Sequence, residues 1–144
     1  MEFLIRDFKI GDYEQVINLW LLSHLPLKPQ GRDSRAQLEQ QMKLDQVIFL
    51  VAEKEGRIIG TVLATHDGRK GWINRLAVEP AYRRQGLGKL LIKRAEEELE
   101  KKGLPMFAAL IEENNLASIN LFAEVGYEPH PEIKYFTKKN FPEA

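Results

Sequence analysis

Between Trp72 and Leu99 the chain changes its hydrophobic period partway. Trp72 to Val78 reads as a strand stopped by Pro80, whereas Leu87, Leu90, Leu91, Ala95 and Leu99 recur on one helical face. The two patterns meet at Arg83-Arg84-Gln85-Gly86-Leu87-Gly88-Lys89. A strand passing through a glycine turn into a long amphipathic helix commits the chain to a mixed fold. Glycines let the backbone approach a ligand closely, and the first helical turn offers unpaired N–H groups at the positive end of its dipole. Such a turn suits a phosphate or pyrophosphate, and Arg83, Arg84 and Lys89 add positive charge to it. Taken alone, a capping glycine beside solvated arginines explains the turn equally well.

The better-known phosphate loops do not fit. A Walker loop needs Gly-Lys-Ser/Thr, but Leu90 follows Gly88-Lys89, and Arg83 stands where the leading glycine belongs. A dinucleotide fingerprint needs a third glycine where Leu91 stands. The 21 basic residues balance the 21 acidic ones, so no overall field favours nucleic acid or an anionic membrane. Without cysteine there is no disulfide, thiolate nucleophile or Cys-containing metal site, and His24, His66 and His130 lack ligand spacing. The chain's 144 residues suit one domain spanning 1–144. Charge comes too early in Met1 to Asp7 for a signal peptide, and Val47–Ala52, the longest apolar run, is too short to span a bilayer. These features point to a cytoplasmic protein.

The remaining elements follow from local pattern. Phe3 to Arg6 reads as a strand, Asp12 as the N-cap of a helix carrying Tyr13, Val16, Ile17 and Trp20, and Asp33 or Ser34 as the cap of a second helix reaching towards Leu44. Pro26, Pro29 and Gly31 mark the loop between them. Strands Val47–Ala52, Arg57–His66 and Trp72–Val78 are joined by Glu55-Gly56 and Asp67-Gly68, an antiparallel meander. After the long helix, which Gly103 ends and Glu97/Lys101 and Glu98/Lys102 pairs support, come a strand Met106–Ile111, a helix from about Asn115 to Val125, and a last strand at Tyr135-Phe136-Thr137. The order predicts an α+β fold: a mixed, mostly antiparallel sheet with one parallel pair and flanking helices.

Leu76-Ala77-Val78-x-Pro80-x-Tyr82-Arg83-x-x-Gly86-x-Gly88 resembles motif A of the GNAT N-acetyltransferases, whose signature is Arg/Gln-x-x-Gly-x-Gly/Ala. Downstream, Asn115-x-x-Ser118-x-x-Leu121-Phe122-x-x-x-Gly126-Tyr127 is similar to a second motif of that family. The likeness covers nearly the whole chain and is strongest to small stand-alone bacterial members. It implies acetyl-CoA as acyl donor and a primary amine as acceptor. Backbone N–H groups of Arg84, Gln85, Gly86, Gly88 and Lys89 would surround the pyrophosphate, with Arg83 and Leu87 in the same turn. Leu76 and Val78 would bond the pantetheine arm through their main chain, and the Leu76 N–H would be the oxyanion donor. Asn115 would hydrogen-bond the pantetheine, or simply cap its helix. The loop containing Pro26 and Pro29 would line the acceptor groove.

Two positions depart from the pattern. Phe122 stands where the family commonly places a tyrosine that protonates the leaving thiolate, and the preferred reading is a core aromatic beside the cofactor, on the helix face of Ile119, Leu121 and Val125. Trp72 occupies the usual place of the acidic base, while Asn74 can orient a water without acting as a base at neutral pH. Glu112 is a weak substitute for that base. Positioning alone can supply roughly 7–11 kcal/mol, so these departures leave catalysis open. A non-catalytic acyl-CoA-binding or regulatory module is the alternative, and a homodimer is left open.

Overall fold

The computed structural model describes residues 2–144. Five strands form one sheet in the order β1 (Leu4–Asp7), β2 (Val47–Lys54), β3 (Arg57–His66), β4 (Gly71–Val78) and β5 (Phe107–Ala109). The first four pair antiparallel and β4 pairs with β5 in parallel, as the expected α+β arrangement requires. Four helices flank the sheet: α1 (Tyr13–Leu22), α2 (Arg35–Gln41), α3 (Leu87–Lys101) and α4 (Leu116–Glu124). No helix among the described residues is long and apolar enough to cross a membrane.

Strand alternation divides the core in two. On β3, Ile59, Val62 and Ala64 join Leu87, Leu91, Ile92, Ala95 and Leu99 of α3 in one cluster. Ile58 and Leu63 join Val16, Leu19, Trp20 and Leu38 in the other. The sheet is therefore covered by α3 on one face and by α1 and α2 on the other. Contact with α3 is tight at Gly60, where an added Cβ would lie 3.0 Å from Leu91 Cδ1, and at Gly71, where it would lie 2.5 Å from Leu99 Cδ1.

A bulge interrupts β4. Asn74 pairs with Leu63 and Ala77 with Thr61, so two residues of β4, Arg75 and Leu76, oppose Val62 alone. Arg75 sits in the left-handed region at φ 39°. In a regular strand Ile73 and Ala77, four apart, would share a face, yet they bury into opposite clusters. Pairing with β5 stops at Ile73–Ala109, just before the bulge, so β5 is shorter than the predicted Met106–Ile111.

Several local expectations need correction. Tyr135 and Phe136 are 72% and 87% exposed, and the predicted last strand at Tyr135-Phe136-Thr137 is absent, since strand propensity without a pairing neighbour is not enough. The tail instead returns to the α1–α2 loop, where a Cβ at Gly31 would collide with the Glu143 carbonyl. Asp12 does not cap α1 with its side chain but accepts from the Lys9 N–H and the Arg6 guanidinium. Helix α2 ends at Gln41, short of Leu44. On α3, Ile92 is buried and Leu90 only half-buried. Lys101 pairs with Glu98 and Lys102 with Asp45, because Asp45 approaches from another part of the chain.

Candidate acyl-CoA site

Gly86 is the N-cap of α3 at φ 83°, a conformation that a residue with a Cβ adopts only at a cost. No side chain caps the helix, so its first N–H groups face outward from a turn in which Arg84 also takes positive φ. A Cβ at Gly86 would meet nothing within 4 Å, so the space before the helix is open. Arg83, Arg84, Gln85 and Lys89 are exposed around it, while Leu87 is buried as the first anchor of α3 in the core. The Lys89 Nζ lies 2.7 Å from Glu124 Oε2, a surface pair that neutralises part of the local charge.

The outer edge of β4 leads into this turn. Beyond Ile73 it has no strand neighbour on that side. The Glu79 N–H donates to the Ile59 carbonyl, so alternation turns the main-chain groups of Ala77 towards β3 and those of Leu76 and Val78 towards the gap. The Arg83 Nε donates to the Val78 carbonyl at 3.1 Å, using one of the two lone pairs of that oxygen. An extended chain carrying amide groups and ending in a pyrophosphate fits this edge and turn: main-chain groups line the edge, and N–H groups stand at its end.

The bulge places side chains on either side of this edge. Trp72 and Asn74 project to the α1 and α2 face, opposite Ile73, whereas Leu76 and Val78 pack on the α3 face. The Asn74 amide comes within 3.5 Å of the Trp72 carbonyl, a long contact. Glu112 is exposed beyond the end of β5. Asn115 Oδ1 accepts the Ser118 N–H at 3.2 Å, capping α4 and leaving Nδ2 for another acceptor. Phe122, 5% exposed, meets Tyr127 edge to face at 4.9 Å between centroids. The Tyr127 hydroxyl donates to Glu96 Oε2 at 2.6 Å, and burial, aided by that carboxylate, pushes the phenol well above its usual range.

Sequence reasoning missed Arg75 and Thr61 and read Asp33 only as a candidate helix cap, a place that Ser34 takes. The Thr61 hydroxyl donates to the Arg75 carbonyl at 2.9 Å and accepts from the Trp20 indole at 3.0 Å, so the bulge is held from beneath. Nothing local in the sequence marks that bulge, since Arg75 carries no glycine-like signature.

Residues 13–127 match the acetyltransferase (GNAT) family. An acetyltransferase of Photorhabdus laumondii is 36% identical over 136 residues, 94% of each chain. An N-acetyltransferase of Yersinia pestis, itself uncharacterised, is 36% identical over 129 residues, 90% of each chain. Among solved structures, the PaiA N-acetyltransferase of Thermoplasma acidophilum in complex with coenzyme A superposes with TM-score 0.75 at 22% identity, covering 89% of this chain and 91% of that one. The aminoglycoside N-acetyltransferase AAC(6')-Iy in complex with CoA gives 0.76 at 19% identity, covering 96% and 95%. With the unpaired outer edge of β4, Gly86 at the start of α3 and relatives matching over 90% or more of each chain, the chain belongs to the acetyltransferase (GNAT) family, the acetyl-CoA-dependent N-acetyltransferases.

Proposed function

We propose that the chain, as one domain, transfers the acetyl group of acetyl-CoA to a primary amine of a small molecule or peptide by direct attack. The observation that carries this reading is the unpaired edge of β4 from Asn74 to Val78, which leads into the start of α3, where no side chain takes the first N–H groups. Acetyl-CoA supplies the thioester. The N–H groups of Arg84, Gln85, Gly86, Gly88 and Lys89 hold its pyrophosphate, assisted by the Arg83 and Arg84 charges. Main-chain groups of Leu76 and Val78 and the free Asn115 amide nitrogen align the pantetheine. The Leu76 N–H faces the carbonyl oxygen on which negative charge develops, a contribution of about 3–4 kcal/mol in a dry site. A C–N bond forms, the C–S bond breaks, and CoA leaves as thiol.

Proton transfer has no dedicated side chain in this reading. Phe122 has nothing to donate, and the Tyr127 phenol is engaged by Glu96. The departing sulfur takes its proton from water or from the substrate ammonium. An amine that is already partly neutral is therefore the better acceptor. At pH 7.4 an α-amine is roughly 30% neutral and a lysine amine only about 0.1%.

Thiol release across an amine panel tests the reading, with α-amines expected to turn over faster than ε-amines. Acetyl-CoA should raise the melting temperature by ligand linkage, while ATP and NAD should not. Stabilisation by acetyl-CoA without thiol release from any amine would favour a binding module. The open edge of β5 and the exposed Ile133, Tyr135 and Phe136 also support pairing of two copies of the chain.

A further inference from the structure

Arg75 is the one residue of β4 whose main chain and side chain are both tied to the face opposite α3. Its carbonyl accepts from the Thr61 hydroxyl, which accepts from the Trp20 indole. Its guanidinium carbon lies 5.4 Å from the centroid of that same Trp20 ring, which is fully buried. Its Nη2 donates to Asp33 Oδ2 at 2.8 Å, with only 11% and 4% of the two side chains exposed. Asp33 in turn organises the α1–α2 loop. Its carboxylate accepts the Lys28 N–H at 2.8 Å, its own N–H donates to the Lys28 carbonyl, and its carbonyl accepts the Tyr13 hydroxyl at 2.8 Å.

Stability alone is a poor account of this arrangement. Apolar residues of similar volume often replace a buried ion pair at no loss. A glycine would adopt φ 39° without the crowding that an arginine meets there. Strain and burial are accepted together at the residue immediately before Leu76, and such coincidences cluster at functional sites.

We infer that Arg75 is a positioning residue: its ion pair with Asp33 holds the Leu76 N–H and the α1–α2 loop in one fixed relation, so that oxyanion donor and acceptor groove are set together. The inference rests on the proposed roles of Leu76 and of that loop. Its geometric half, a rigid coupling of loop to bulge, can be measured without any turnover.

Replacing Arg75 alone leaves the Asp33 carboxylate buried without a cation and risks misfolding. The informative protein is the double variant Arg75→Met, Asp33→Asn, which removes both charges and keeps a stem over Trp20, with Arg75→Lys as the conservative comparison. Calorimetry with CoA counts folded, binding-competent sites. Per such site, the double variant should lose about 10²-fold in kcat, the scale of a small misplacement of reacting groups. KM for the amine should rise while CoA affinity holds, and Arg75→Lys should recover part of kcat. Amide hydrogen exchange should quicken together at Leu76 and across residues 28–33. A double variant that binds CoA and keeps wild-type kcat and amine KM overturns the inference. Wild-type protein that binds acetyl-CoA yet acetylates no amine overturns the transferase reading instead. In that case, unchanged exchange at Leu76 and residues 28–33 in the double variant would overturn the coupling as well.

Discussion

A Cβ at Gly88 would stand 2.9 Å from Leu121 Cδ2, so the start of α3 lies directly on α4. Two effects compete in Gly88→Ala. Alanine in a helix gains roughly 1 kcal/mol over glycine, whereas crowding a packed contact costs typically 1–3 kcal/mol. That Leu121 methyl is the end of a side chain that can shift, so the expected net change in a urea melt is a small loss. The double variant Gly88→Ala, Leu121→Ala should show favourable coupling, because the crowding disappears while the helix gain remains. Simple additivity would mean that the two residues do not touch.

Gly86→Glu should abolish CoA binding by placing a carboxylate where the phosphates go. The positive φ adds about 1–2 kcal/mol of backbone cost for any residue with a Cβ. Gly86→Asn, whose side chain tolerates that region better, is the control and should melt near wild type. Circular dichroism of the glutamate variant should still show the native spectrum. Wild-type affinity by calorimetry would move the anion site elsewhere.

Phe122→Tyr sets an unpartnered hydroxyl in a 5% exposed site, and stability should fall by roughly 1–3 kcal/mol. The pH–rate profile should stay unchanged. An added alkaline limb near pH 10, with rate retained, would instead mean that the new phenol reaches the leaving sulfur.

Tyr127 and Asp12 give opposite pH signatures. The folded protein holds the Tyr127 proton more tightly than the unfolded chain does, so its stability contribution is complete below the usual phenol value of about 10 and drains away above it. Tyr127→Phe should flatten the alkaline loss in melts taken between about pH 9 and 11. The Arg6 guanidinium bonds the Asp12 carboxylate and holds it below its usual 3.8, with the Lys9 N–H assisting. That contribution is present above 3.8 and lost on further acidification, so Asp12→Asn should be less stable at neutral pH and less acid-sensitive. A parallel offset at every pH would contradict both assignments.

The proposed pairing of two copies predicts that Tyr135→Ser, Phe136→Ser lowers the sedimentation coefficient to that of a monomer and leaves the melting temperature of the monomer unaltered, because both side chains lie outside the core. An unaltered sedimentation coefficient would remove the tail from any interface.

What the sequence disclosed followed the range of the forces involved. The Glu55-Gly56 hairpin, Ser34 and Asn115 as caps, and α3 beginning at Leu87 all depend on residues a few places apart, and all stand as read. The Arg75–Asp33 pair joins residues 42 apart, and Trp20–Thr61 joins residues 41 apart. No local pattern announces either. The β4 bulge was equally hidden, since its positive φ falls on an arginine that reads as an ordinary strand residue. Tyr135-Phe136-Thr137 misled for the complementary reason: its composition suits a strand, but no edge within the chain receives it. The anion-binding character of the turn is legible in its glycines and basic residues, whereas the role of Leu76 rests on motif likeness alone.

Gly60 and Gly71 omit the two Cβ atoms that would hold α3 away from the sheet. The helix therefore rests on bare backbone at two places well separated along its length, and its depth and tilt are gauged by β3 and β4. The turn at Arg83–Lys89 inherits its location from that seat. Its side chains can be exchanged for affinity or ligand preference without displacing the amide cluster, as a lock can be rekeyed without rehanging the door.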